Sequence, residues 1–169
     1  VDVRLVKMSA GDAPAVGALE QEPVVEGAAL IIDNRSGRIL AMAGGYSFER
    51  SKFNRAVQAM RQLGSTFKPV VYTTAIDRGY TPASVIIDQP VSYDAGPGQP
   101  LYSPTNYDHT FQGPVTLRYA LEHSRNVPAV RLMDELGPKQ VVDYAHRLGL
   151  AGPLQPYLST ALGAGEATL

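Results

Sequence analysis

The sequence contains no cysteine, which excludes disulfides and thiol chemistry and leaves the redox compartment open. It has no surplus of charge of either sign: 15 basic residues against 16 acidic ones give a formal net charge of −1. Neither nucleic acid nor an anionic membrane surface is therefore expected as a partner on electrostatic grounds. The few histidines, His109, His123 and His146, are scattered without ligand spacing, so no metal site and no cofactor is expected. No apolar run approaches the roughly 18 residues of a membrane span, and the one at 28–32 is strand-sized. No secretory signal follows Val1, which places any targeting segment outside this sequence. Internal repeats and low-complexity tracts are also missing. What is present, 169 residues with 44% hydrophobic and 18% charged, is the composition of one globular domain with a real core.

Along the chain, residues 1–26 mix small and polar residues, and Pro14 and Pro23 break any period. They read as a linker or the remnant of a neighbouring module, with the main domain spanning 27–169. Two apolar stretches, 28–33 and 38–43, flank Asn34-Arg-Ser-Gly37 and predict a β-hairpin whose unbroken apolar character implies burial on both faces. From 66 to 76 the apolar spacing is helical. Pro69 fixes where that helix begins, because proline is tolerated only in the first turn, where its missing N–H has no partner anyway. The helix must start close to Thr66, which puts Ser65 at its N-terminus and Lys68 in its first turn. Residues 80–113, rich in proline, glycine and tyrosine, predict irregular structure with short strands near 84–87 and 90–93. Three helices follow: 116–123 with Thr116 as N-cap, 127–136 capped by Asn126, and 138–148 closed by Gly149. Strands followed by a run of helices argue an α+β fold.

Two short constellations carry chemistry. In Ser65-Thr-Phe-Lys68 a serine and a lysine three apart share one helix face. A serine hydroxyl is a poor nucleophile until a base takes its proton, and lysine is a base only when neutral. The positive potential of a helix start disfavours the ammonium, so a lysine there is misplaced for stability. On its own the pair is weak, since S-x-x-K arises by chance in about half of chains this long. Taken alone, it is better explained by a serine N-cap followed by a solvated lysine. Ser124-Arg-Asn126 lies in a turn between helices, where a hydroxyl can relay protons and a carboxamide can hold a peptide group. The alternative is a capping asparagine beside a polar loop serine.

S-x-x-K followed by a Ser-x-Asn triplet and then Lys-Thr-Gly is the signature of class A β-lactamases and penicillin-binding proteins. The first two elements occur here in that order. The flanking segments Phe53-Asn-Arg-Ala56, Arg61-Gln-Leu-Gly-Ser-Thr-Phe-Lys-Pro69, Ser103-Pro-Thr-Asn-Tyr-Asp108, Gly113-Pro-Val-Thr-Leu-Arg118 and Ala120-Leu-Glu-His-Ser-Arg-Asn-Val-Pro-Ala-Val130 resemble class A penicillin-binding proteins, and the likeness runs from about residue 28 to 169. It implies the N-terminal portion of a β-lactamase/penicillin-binding transpeptidase-like fold. By the same resemblance Ser65 matches the family's acyl-accepting nucleophile and one backbone oxyanion donor, Lys68 its base, and Ser124 and Asn126 its second serine and substrate-binding asparagine. The implied reaction is D,D-transpeptidation of peptidoglycan stem peptides ending in D-Ala-D-Ala, which β-lactams imitate and block, at the extracytoplasmic face of the cell envelope. A glycosyltransferase domain upstream is implied as well. A D,D-carboxypeptidase, a β-lactamase-like hydrolase, or a module that binds stem peptides or proteins without turnover are the rival readings.

One element of the signature is missing. Lys-Thr-Gly occurs nowhere in the 169 residues, and in the family it lies on a strand further towards the C-terminus. Thr168 reads as the N-cap of a helix still to come. The sequence is therefore expected to be one part of a transpeptidase domain whose remaining C-terminal part is a necessary partner.

Overall fold

The computed structural model describes residues 2–7, 16–21 and 23–169. Two compact units divide the chain, residues 1–58 with Leu169 and residues 59–168.

The first unit holds two antiparallel ladders: β1 (Asp2–Lys7) with β2 (Val16–Glu20), and β3 (Ala29–Ile32) with β4 (Ile39–Ala43). Strands thus form within 1–26, where the sequence shows no period; Pro14 lies outside the described residues. The predicted hairpin at 28–43 is present, and its turn is closed by Asp33, whose carboxylate accepts from the Arg35 and Ser36 N–H groups. Its burial differs from expectation. Ile31, Ile32, Ile39, Leu40 and Met42 are all exposed, because a two-stranded ladder has two faces and none of the described residues of this unit covers these side chains. Glu26 organises the segment after β4. It accepts from the Tyr46 N–H at 2.9 Å and pairs with Arg55 at 3.6 Å and Arg50 at 3.8 Å. Residues 49–61 contain only one helical turn, α1 (Arg55–Gln58).

The second unit contains the core. A 3-10 turn, Gly64–Phe67, runs directly into α2 (Lys68–Asp77), with Pro69 in the first turn, as the proline argument requires. Lys68, Val70, Val71, Tyr72, Thr74 and Ala75 of α2 are buried, covering most of its circumference, which is how a central helix differs from an amphipathic surface one. Around it stand α3 (Leu117–Glu122), α4 (Asn126–Leu136) and α5 (Pro138–Arg147). Val71, Val130, Leu132, Met133, Val141 and Ala145 are wholly inaccessible, and each large apolar side chain buried this way stabilises the fold by about 1.5–3 kcal/mol. Strand β6 (Val85–Asp88) pairs antiparallel with β7 (Gly113–Thr116), closing the long loop between them at its base. Within that loop Tyr93 and Tyr102 form a single bridge. A second 3-10 turn, Leu158–Leu162, precedes β8 (Glu166–Ala167), which pairs with β5 (Arg61–Gln62) just ahead of Ser65. Thr116 caps α3 as predicted, its Oγ1 accepting from the Tyr119 N–H at 3.2 Å.

One predicted cap is wrong. Asn126 does not cap α4; it is the first residue of that helix, and its side chain points elsewhere. The Asn126 and Val127 N–H groups instead donate to Asn106 Oδ1, at 2.8 and 3.1 Å. An asparagine twenty residues away in sequence thus satisfies the orphan donors of the helix start.

Candidate active site

Lys68 stands at the junction of the 3-10 turn and α2 and is 1% exposed. Its Nζ donates to the Ser124 carbonyl at 2.6 Å, to Ser124 Oγ at 3.0 Å and to Asn126 Oδ1 at 2.7 Å. Those bonds use all three protons of an ammonium. They favour the charged form, but burial opposes it and prevails, lowering the Lys68 pKa from 10.5 to about 8. The lysine therefore lies within reach of both charge states near neutrality.

Ser65 lies in the turn before, exposed to solvent, and its carbonyl accepts the Lys68 backbone N–H. Residues three apart in a 3-10 turn eclipse one another, so Ser65 and Lys68 share a face. The turn is pinned from the other side of the unit: the Leu63 N–H donates to the Gly165 carbonyl at 3.0 Å and the Gly64 N–H to the Gly163 carbonyl at 3.1 Å.

Ser124 has a left-handed backbone, φ 48°, a region that non-glycine residues occupy at a cost and that clusters at functional sites. The structure thus brings Lys68, Ser124 and Asn126 into direct contact and places Ser65 one turn away on the same helix start. A separate cavity of about 400 Å³, lined by Tyr93, Tyr102, Pro138 and Tyr157 among others, includes none of the four.

Beneath this cluster lies a polar network that the sequence reading missed. Asp88, wholly buried at the end of β6, accepts from Asn106 Nδ2 at 2.7 Å and from Arg125 Nε at 2.9 Å. Arg125 also reaches Asp108 Oδ2 at 2.7 Å and the Thr110 carbonyl at 2.6 Å. Asn126 Nδ2 donates to the Thr105 carbonyl at 2.9 Å. Bonds from Thr110, then from Arg125, hold the Asp108 carboxyl down at about 2. The available signals were a carboxylate closing an apolar strand and an arginine between two site residues, and neither names its partner. Among the described residues no group of His, Cys, Asp or Glu could hold a metal ion, and no helix is long and apolar enough to cross a membrane.

Comparison with known proteins gives this geometry its family. Residues 27–159 match the penicillin binding protein transpeptidase domain. Penicillin-binding protein 1A of Neisseria meningitidis is 42% identical over 153 residues, covering 89% of this chain and 19% of the relative. That of Rickettsia bellii is 41% identical over 152 residues, covering 90% and 19%. The crystal structure of penicillin-binding protein 1A from Haemophilus influenzae superposes with a TM-score of 0.78 at 35% identity, over 90% of this chain and 23% of that one. PonA1 of Mycobacterium tuberculosis in complex with penicillin V gives 0.71 at 26% identity, over 85% and 40%. The chain spans about a fifth of the length of the curated relatives it matches. The match covers both the Ser65 turn and the Ser124–Asn126 corner, and the mixed helix-and-strand unit around them superposes on solved members; the chain belongs to the penicillin-binding protein transpeptidase family.

Proposed function

We propose that this chain is the nucleophile-bearing part of a peptidoglycan D,D-transpeptidase that works through a serine acyl-enzyme. One observation carries the reading: a buried lysine with its pKa lowered to about 8, held by Ser124 and Asn126 at the start of the helix that follows Ser65. Neutral Lys68 takes the proton of Ser65 Oγ as that oxygen attacks the penultimate D-Ala carbonyl. The carbonyl oxygen becomes an oxyanion facing backbone N–H groups at the start of the turn, that of Ser65 among them, since such groups lack partners within the turn. Ser124 Oγ, hydrogen-bonded to Lys68, passes the proton to the departing nitrogen. The C–N bond breaks, terminal D-Ala leaves, and the acyl group stays on Ser65 until a stem-peptide amine attacks it. Asn126 holds the substrate's peptide group. A β-lactam follows the same first half, its ring C–N bond opening on Ser65 without a leaving fragment. The same reading places the protein at the extracytoplasmic face of the cell envelope, anchored elsewhere in a longer chain, with a glycosyltransferase domain upstream and the Lys-Thr-Gly part of the domain downstream.

The test is mass spectrometry of the full-length protein after incubation with a labelled penicillin. One adduct on Ser65 is expected, and Ser65→Ala should abolish it while thermal melting stays normal. An adduct that persists in the variant at Ser103, Ser124 or another serine overturns the assignment. Fast hydrolytic loss of the adduct marks a β-lactamase-like hydrolase, and no adduct at all marks a binding module.

A further inference from the structure

Arg125 lies between the two residues that hold Lys68, yet its own side chain goes the other way. Its backbone is extended, φ −62° and ψ 131°, and an extended residue sends its side chain to the side opposite its neighbours. The guanidinium then meets three acceptors from two separate segments: Asp88 Oδ2 on β6, and Asp108 Oδ2 and the Thr110 carbonyl in the loop before β7. The Arg125 N–H is fixed too, donating to the Ala120 carbonyl at 2.8 Å. Asn106 joins the same carboxylate to the start of α4, since it donates to Asp88 and accepts from Asn126 and Val127. Apart from Lys68, the Thr105 carbonyl and the backbone bonds to α3, the anchors of the Ser124–Asn126 corner thus converge on one buried arginine–carboxylate cluster.

We propose that Arg125 is a positioning residue: its fork between Asp88 and Asp108 holds the corner so that Ser124 and Asn126 present their oxygens to Lys68 Nζ and keep water from it. The role rests on the reading of Lys68 as the base. A buried pair of this kind is a poor source of net stability, because desolvation offsets the attraction. It is a good source of geometry, since a planar five-donor fork fixes direction where a flexible ammonium does not. The left-handed Ser124, φ 48°, needs such a support, because an unclamped turn relaxes to a commoner conformation. The charged groups facing the arginine are Asp88 and Asp108, while those facing Lys68 Nζ are neutral oxygens. Loosening the clamp therefore acts on Lys68 through hydration and contact geometry, with no new charge beside it.

Two variants of the full-length protein test this, Arg125→Lys and Asp108→Asn. The second removes a half-exposed carboxylate and keeps the buried Asp88 pair, so it is the milder of the two, and thermal melting of both checks that they fold. Two readouts apply: the second-order rate of penicillin acylation across pH, and the titration of Lys68 Nζ by lysine-selective ¹⁵N NMR. The expected fall is about 10-fold for Asp108→Asn and about 10²-fold for Arg125→Lys. The acid limb of the rate profile should move to higher pH, and the Lys68 midpoint should rise in parallel as water reaches it. If both variants acylate at the parental rate and leave the Lys68 midpoint in place, the arginine is structural only and the proposal is wrong. Failure of the base reading is told apart by Lys68→Arg in the parent background. Were that change harmless to acylation, Lys68 would not be the base, and the NMR midpoints would still decide whether the clamp sets its environment.

Discussion

Lys68 is a residue on which two physical terms of opposite sign meet, and each predicts something different. Three acceptors pull it towards the ammonium, and 1% exposure pushes it away. With a pKa of about 8, about one molecule in ten carries the neutral base at pH 7, and the fraction grows as pH rises. Acylation should accordingly increase through about pH 8 and level off above it, a profile read directly from penicillin kinetics. The stability effect has its own sign. A lysine whose folded pKa is depressed binds fewer protons folded than unfolded, so its burial costs stability in full below about pH 8 and is relieved as pH rises to 10.5. Lys68→Arg separates base from ornament, because guanidinium keeps the charge but cannot give up its proton at these pH values. Acylation should drop by about 10² or more while circular dichroism shows a folded protein. A variant acylating at the parental rate would remove lysine from the mechanism.

At the scale of elements, the turn carrying Ser65 is held by a backbone contact that only glycine permits. Gly163 has φ 73° and sits so close to Gly64 that an added Cβ would land on the Gly64 backbone nitrogen and oxygen. Gly163→Ala should therefore destabilise by about 2–4 kcal/mol, from positive φ and overpacking together, and should slow acylation of the molecules that stay folded. Gly79→Ala supplies the contrast: φ is 92°, but nothing lies within 4 Å, so only about 1 kcal/mol is expected. Equal losses in chemical denaturation would refute the close-approach argument. These elements were legible to different depths. Pro69, Thr116 and Gly149 act within one turn of the chain, so their local chemistry placed α2, α3 and the end of α5 correctly. Asn126 was misjudged because capping preference is a local rule, and here Asn106, from a distant loop, took the donors and freed Asn126 for Lys68. The 80–113 stretch read as irregular, and so it mostly is. Its place beneath the candidate site, through Asp88, Asn106 and Asp108, depends on pairings across 17 to 37 positions that no periodicity encodes. Apolar continuity in β3 and β4 likewise reports what a strand is able to bury, and the partner that covers it is a separate fact.

For the molecule as a whole, the question is how much of the chemistry these 169 residues can perform by themselves. Ser65, Lys68, Ser124 and Asn126 belong to one unit with a continuous core, so the acylating face should assemble without help. The proposed downstream part is not among them: Lys-Thr-Gly is absent from the sequence, and the curated relatives are about five times as long. Ile39 and Leu40 of β4 are also more than half exposed, which fits a sheet that other parts of a longer chain extend or cover. An oxyanion hole lacking one donor typically loses about 10²–10³ in rate, and losing substrate-positioning contacts adds to that. Acylation of the isolated chain by a labelled penicillin is therefore expected to be slower than that of the full-length protein by at least that factor. The lowered Lys68 titration should persist in the isolated chain, because its three acceptors and its burial are internal to the unit. Supplying the C-terminal part of the domain, fused or in trans, should restore the rate without moving the Lys68 midpoint. An isolated chain that acylates as fast as the full-length protein would show that the Lys-Thr-Gly part contributes nothing to the first chemical step, and the proposal that this part completes the site would have to be given up.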